Sequence, residues 1–324
     1  MMPAPDRVTS SDPDGMRVIG AREFYQLVSV DDAREAVGRA FVDFSAGHFV
    51  HPQRLVSADG TFLAMACIDA QTGVTVTKVM TVRPSNRQQG LPSHHSVVSV
   101  FDGSTGQPIA VIDGNAVTIR RTGAASGVAT ALLSPPTANS LAVIGAGAQA
   151  GEQVSAVLAV RPIEQVRLAS RSVVSAQALR RRLIPQYPDV EITAVETAME
   201  AVDGVDVVCC VTDSTEPLFR TANLSPSAHV NALGAFRPDM KELATDIIEA
   251  ADVVVVDSLA NAGTSGDLLG PPGSDFVAPE LLEIGRLIGR WTRPRAATRT
   301  CFKSVGLAAQ DFAVATLAIA RVRA

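Results

Sequence analysis

A chain of 324 residues with 47% hydrophobic and 19% charged residues and a formal charge of −5 has the length for two domains, each with its own core. The negative balance, without a basic run interleaved with aromatics, excludes a phosphate-backbone-binding surface. Apolar runs such as VVVV at 253–256 fall far below the roughly 18 residues a bilayer span requires. A globular chain with no nucleic-acid partner and no membrane span is expected.

The opening MMPAPDRVTSSDPDG lacks the apolar core and positive flank of a secretory signal, and its Pro, Ser and Asp content predicts a disordered tail over 1–16 and a cytoplasmic protein. A helix is predicted over 30–45. The stretch 62–113 is rich in β-formers, with strands expected at 74–82, 96–101 and 108–112. SVVSVFD and PIAVID, joined across Gly103 to Gly106, form a hairpin candidate. A helix of small residues is predicted over 120–133, ending before Pro135 and Pro136. This half reads as an α+β domain with a mainly antiparallel sheet.

SPPTANS is the clearest boundary in the chain. Beyond it, β-branched runs alternate with helical stretches at 141–144, 166–169, 191–194, 205–211, 228–232 and 252–256, the pattern of a parallel sheet covered by helices and a full Rossmann set of six strands. The fold class is thus α/β: a Rossmann dinucleotide-binding domain over 134–305 and an α+β domain over 17–133. The apolar spacing of AAQDFAVATLAIARV predicts a last helix that returns to the first domain, adding 306–324 to it. Cys67, Cys209, Cys210 and Cys301 show no metal-ligand spacing and read as reduced core thiols. Arg180, Arg181 and Arg182 read as a solvated helix face.

Within LAVIGAGAQAG, Gly145 suits a tight turn, Gly147 lets backbone approach a pyrophosphate, and Ala150 permits close packing of the helix whose N-terminus binds the anion. The loop has the required context, with a predicted strand before it and a helix after it. The second strand ends on Ser170, Arg171 and Ser172 where an NAD enzyme usually offers a carboxylate. A guanidinium flanked by hydroxyls suits a 2′-phosphate, so NADP(H) is favoured and NAD(H) remains possible.

In the first half, TKVMTVRPSNRQQGLPSHHSVV places Lys78 inside an apolar strand pattern. Burying a lysine is costly unless it meets a carboxylate or does chemistry. Arg121, and Arg54 in HPQRLV, offer forked donors for a carboxylate. His94 and His95 sit at a strand entry, where at most one faces a site, and read as structural or solvated.

The chain resembles the ornithine cyclodeaminase and mu-crystallin family, closest to its ketimine-reductase branch. The resemblance runs from about Arg54 to the C-terminal helix on TKVMTV, GLPSHHS, DGNAVTIRRTGAAS, VIGAGAQA, VNALGAFRPDMKEL, VVVVDS and FKSVGLAAQDF. It implies that the first half with the last helix binds substrate and forms a homodimer. It implies that Arg54, Lys78 and Arg121 hold a substrate carboxylate, with Lys78 also near the reacting nitrogen as the catalytic residue. Ser93, Arg121, Ala148, Gln149, Thr212, Asn231, Leu233 and Ser304 then line the cofactor with Gly145 and Gly147, and Val305 lies beside the substrate.

One position departs from the cyclodeaminase pattern. Those enzymes carry an acid–base Asp in the loop after the fifth Rossmann strand, where this chain reads GAFRPDM with Phe236. Asp239 and Asp257 lie nearby and read as capping residues. The resemblance therefore implies reduction of a small 2-imino carboxylate, a cyclic ketimine such as pyrroline- or piperideine-2-carboxylate. A cyclodeaminase using another base, an alanine-type dehydrogenase and a non-catalytic binder remain as alternatives.

Overall fold

The computed structural model describes residues 15–270, 273–293 and 298–323, so the tail expected over 1–16 lies almost wholly outside them. Two sheets organise the chain. The first contains β1 (Arg17–Ile19), β2 (Phe49–Val50), β3 (Leu55–Val56), β4 (Phe62–Asp69), β5 (Thr75–Val82), β6 (His94–Phe101) and β7 (Pro108–Asp113). Their order is β1-β7-β6-β5-β4-β2, with β3 also on β4. Only the β1–β7 pair is parallel.

One face of this sheet is closed by α1 (Ala21–Leu27), α2 (Val30–Ser45), α3 (Gly114–Leu133) and the C-terminal helix Ala308–Arg323. The helix α2 starts where Ser29 accepts from the Asp32 amide while Asp32 accepts from the Ser29 amide, a reciprocal cap. Its buried face, Ala33, Ala36, Val37, Ala40 and Phe41, follows the spacing of one helical stripe. The C-terminal helix packs against α2, α3 and β5.

The second sheet comprises β8 (Ser140–Ile144), β9 (Gln165–Ala169), β10 (Glu191–Ala194), β11 (Val207–Cys210), β12 (His229–Ala232), β13 (Val253–Val256), β14 (Leu281–Glu283) and β15 (Thr300–Lys303). Every pair is parallel, in the order β10-β9-β8-β11-β12-β15-β13-β14. The first five positions are the Rossmann arrangement. Because both faces are covered, alternate residues feed different cores: Leu141, Val143 and Cys209 lie in one cluster, Ala142, Ile144 and Cys210 in the other. All four cysteines are free and buried.

Two expectations need correcting. The sheet has eight strands, and the sixth Rossmann position belongs to β15 rather than to 252–256, which lies one place further out. β15 reads TCFK, four buried residues ending in Lys303, too short and too polar to register as a strand by pattern. The small-residue helix begins at Gly114, six residues before Arg120, because Asp113 caps it by accepting from the Ala116 amide at 2.9 Å. It is buried on nearly all sides, which an unpatterned Gly, Ala, Ser and Thr composition permits and periodicity does not reveal.

Candidate active site

The chain leaves β8 through Gly145, whose φ of +108° L side chains rarely adopt. A Cβ there would lie 2.7 Å from the Val211 carbonyl oxygen, so glycine alone fits. Gly147 is exposed with nothing within 4 Å of a would-be Cβ, leaving its backbone open to a ligand. Ala148 is exposed. Gln149 begins α4 (Ala150–Leu158), which has no side-chain cap on its first amides, and Gln149 Oε1 is buried without a hydrogen-bond partner among the described residues. An uncapped helix N-terminus behind an open glycine backbone fits the pyrophosphate of a dinucleotide.

The flanking positions follow from the sheet. Half-buried Ser170 and exposed Arg171 and Ser172 follow β9, half-buried Thr212 and Leu233 follow β11 and β12, and buried Ser304 and Val305 follow β15. All stand at carboxyl ends of parallel strands, where ligands of open α/β sheets bind. Ser93 comes from the other half of the chain, half-buried just before β6, its Oγ 3.0 Å from His94 Nδ1. Asn231 does not open to this cleft. Its side chain is buried, with Nδ2 donating to Thr130 Oγ1 of α3 and Oδ1 3.1 Å from His229 Nε2.

Lys78 lies on the inner face of β5, 3% exposed, opposite Met65 on β4 and Val98 on β6. Its Nζ sits 2.8 Å from Asp311 Oδ2, in the first turn of the C-terminal helix, and 3.3 Å from Thr118 Oγ1 of α3. Arg121 brings Nε to 3.3 Å from Asp311 Oδ1 and donates from Nη1 to Gln310 Oε1 at 2.8 Å. The same guanidinium lies against Gly306, φ +84°, where a Cβ would come within 2.7 Å of it. Arg54 donates to the Gly306 carbonyl at 2.6 Å. Burial lowers the Lys78 pKa to about 8, Asp311 opposing that shift and Arg121 and Arg54 adding to it.

Asp257, at the end of β13, accepts from Ser304 Oγ at 2.6 Å and from the Val305 and Gly306 amides at 3.1 and 2.8 Å. It thus holds the loop that Arg54 and Arg121 touch. Three cations, Arg54, Lys78 and Arg121, meet two carboxylates, Asp257 and Asp311. The surplus positive charge suits one carboxylate ligand.

The remaining polar candidates lie elsewhere. Arg120, next to Arg121, turns away to pair with Glu152 of α4 and lies over the Tyr25 ring. Phe236 is half-buried beneath the Arg237 guanidinium, which pairs with Asp239 at 2.9 Å. His95 is exposed. Among the described residues no group of three or more His, Cys, Asp or Glu is placed to hold a metal, and no helix is long and apolar enough to cross a membrane.

Residues 17–324 match the model of the ornithine cyclodeaminase/mu-crystallin family. The chain belongs to this family. It is 35% identical over 313 residues to the Delta(1)-pyrroline-2-carboxylate reductase of Bacillus cereus, covering 93% of this chain and 94% of the relative. The ketimine reductase mu-crystallin of Mus musculus is 34% identical over 253 residues, 78% of each chain. Among solved structures of similar fold is Thermococcus litoralis Delta(1)-pyrroline-2-carboxylate reductase in complex with NADH and L-proline. Its TM-score is 0.89 at 29% identity, over 95% of this chain and 98% of that one.

Sequence reasoning missed Asp311, Gln310 and Thr118, which complete the surroundings of Lys78 and Arg121. A signal was present: AAQDF opens the last helix one residue after the SVG loop, and a buried lysine demands a carboxylate.

Proposed function

We propose that this chain is an NAD(P)H-dependent reductase of the C=N bond in small 2-imino carboxylates, with cyclic ketimines such as pyrroline- and piperideine-2-carboxylate as its substrates. The observation that carries this reading is the buried convergence of Arg54, Lys78 and Arg121 around the loop after β15 and the helix it leads into, Arg54 on Gly306 and both Lys78 and Arg121 on Asp311, with that loop at the carboxyl ends of the parallel strands as the open glycine turn is. Support comes from the names of the relatives in the family.

Arg54 and Arg121 grip the substrate carboxylate and so hold the imine carbon in reach of the cofactor, since hydride transfer demands near-contact geometry. The bound dinucleotide supplies the hydride that the imine carbon accepts. Lys78 supplies the proton that the imine nitrogen takes up, giving CH–NH in place of C=N. An ammonium whose pKa lies at about 8 is suited to donate near neutral pH. Phe236 cannot shuttle a proton, which disfavours ammonia loss from ornithine.

Residues 17–133 with 306–324 form the substrate and dimer body in this reading, and 134–305 the cofactor body, of a cytoplasmic homodimer. Exposed Arg171, with Ser170 and Ser172, selects the 2′-phosphate of NADPH. The test is loss of reduced-nicotinamide absorbance with each cyclic imine, NADPH and NADH in parallel, against ornithine with NAD and an ammonia assay. Cofactor consumption with an imine supports the reading, and ammonia from ornithine overturns it. Arg171→Ala is expected to raise KM for NADPH about tenfold while leaving KM for NADH unchanged, given the strength of guanidinium–phosphate bonds.

A further inference from the structure

The loops after β11 and β12 run so close together that a Cβ on Gly234 would lie 2.1 Å from the Thr212 carbonyl oxygen. Two backbones this close present their amides to a common space, and one buried side chain fills it. Glu242 is 0% exposed. Its Oε1 accepts from the Thr212 amide at 2.6 Å and the Thr212 hydroxyl at 2.8 Å, and its Oε2 from the Gly234 and Ala235 amides at 2.7 and 3.2 Å.

Three of those four donors are backbone amides, which can only donate, so both carboxyl oxygens are set as acceptors and these bonds favour the carboxylate over the acid. Beside it, buried Asp267 accepts from the Glu242 and Leu243 amides at 2.7 and 2.9 Å and pairs with Lys303 at 2.8 Å. With both carboxyl groups ionised, two negative charges face one ammonium. Burial and Asp267 push the Glu242 pKa up, opposed by Lys303 and by the Thr212 bonds.

We propose that Glu242 is a positioning residue for the nicotinamide end of the cofactor, pinning the Thr212 and Leu233–Ala235 loops and setting behind them a buried negative charge that favours the oxidised, cationic ring. The inference rests on the reading of the chain as a nicotinamide-dependent enzyme but not on the identity of the imine. In the Rossmann order, one half of a dinucleotide lies over β8, β9 and β10 and the other over β11, β12 and the next strand, here β15. The glycine turn after β8 takes the pyrophosphate, so the nicotinamide half falls on the side that Glu242 underlies. A fixed anion there stabilises positive charge as it develops on the ring during hydride donation, without reorganisation.

The test is direct binding of NAD+ and NADH, with NADP+ and NADPH in parallel, to substrate-free protein by calorimetry. Glu242→Gln removes the charge and, because its donor-only nitrogen replaces one accepting oxygen, also loosens one of the two loops; it is expected to weaken both forms, the oxidised form about tenfold more than the reduced form, about 1.4 kcal/mol of selectivity. Glu242→Asp keeps the charge and loosens the grip, and is expected to weaken both forms by the same factor. Equal weakening of both forms by Glu242→Gln, or no change, overturns the proposal while leaving the functional reading intact. Wild-type protein that binds no dinucleotide overturns both. If Glu242→Gln fails to fold, the wild type decides alone: oxidised cofactor bound at least as tightly as reduced is expected, and a tenfold preference for the reduced form overturns the proposal.

Discussion

The pKa of Lys78 is set by two opposed influences acting at one nitrogen. Burial and the guanidinium groups of Arg121 and Arg54 push its proton off, and Asp311 at 2.8 Å holds it on, leaving a pKa of about 8. If the protonated form is the donor, kcat/KM for a cyclic imine stays level below that value and falls about tenfold per pH unit above it. Asp311→Asn removes the influence that raises the pKa, so the descending limb should move to lower pH; a profile that stays in place contradicts the pairing. Lys78→Met is expected to cost on the order of 10²–10⁴ in kcat/KM, the range of general acid catalysis, with cofactor binding measured separately and retained.

At this scale the sequence was legible in part. A lysine inside VTVTKVMTV announces an unusual environment because burying its charge alone is prohibitive. Its partner lies 233 residues away, and no local pattern points to a contact of that range. Asp257 reads as a cap from its place at the end of VVVV, and that is its geometry. Asn231 shows the limit of carrying roles across by position: it falls in the expected motif, yet its side chain is engaged by Thr130 and His229.

Among the elements, α3 decides how the two sheets meet. Its N-terminal part supplies Thr118 and Arg121 to the cluster around Lys78 and Asp311, and Gly123 permits close approach of α4, since a Cβ there would lie 2.5 Å from Glu152 Cγ. Its C-terminus is buried against the second sheet, where the last carbonyls need donors. Arg161 supplies them, donating to the Thr130, Ala131, Ser134 and Pro135 carbonyls at 2.8–3.0 Å, and Arg293 adds a bond to the Leu133 carbonyl. Arg161→Ala should therefore destabilise the fold by about 2–3 kcal/mol through unsatisfied carbonyls and a lost cation at the helix end. Urea unfolding checks this as a lower midpoint at unchanged m. Arg161→Lys should recover little, because a single ammonium cannot span the guanidinium's set of acceptors. The strands with β-branched runs were visible in the sequence, whereas β15 was not: its place depends on Asp267 neutralising Lys303, a tertiary fact.

For the whole molecule, the first sheet is closed by helices on one face only. Across β4, β5 and β6 the other face aligns Ala64, Val79 and Val97 in one row, Phe62, Thr81 and His95 in the next, and Ala66, Thr77 and Ser99 in a third. Val79 and Val97 are 39% and 46% exposed, Phe62 38%, and Leu55 on β3 66%. These three rows carry no formal charge apart from the titratable His95. A patch of this kind on a sheet marks an interface, and the proposed homodimer is its natural occupant, since a two-fold axis sets a face against its own copy. Val97→Glu then places two carboxylates near each other across the axis, burying charge without a partner. The variant is expected to sediment as a monomer while wild type sediments at twice the chain mass; a variant that remains dimeric places the interface elsewhere. The glycine turn, Arg54, Lys78, Arg121 and Asp311 all belong to one chain, so the monomer should still bind reduced cofactor. Loss of that binding together with the dimer would mean that the second copy holds the cleft in shape.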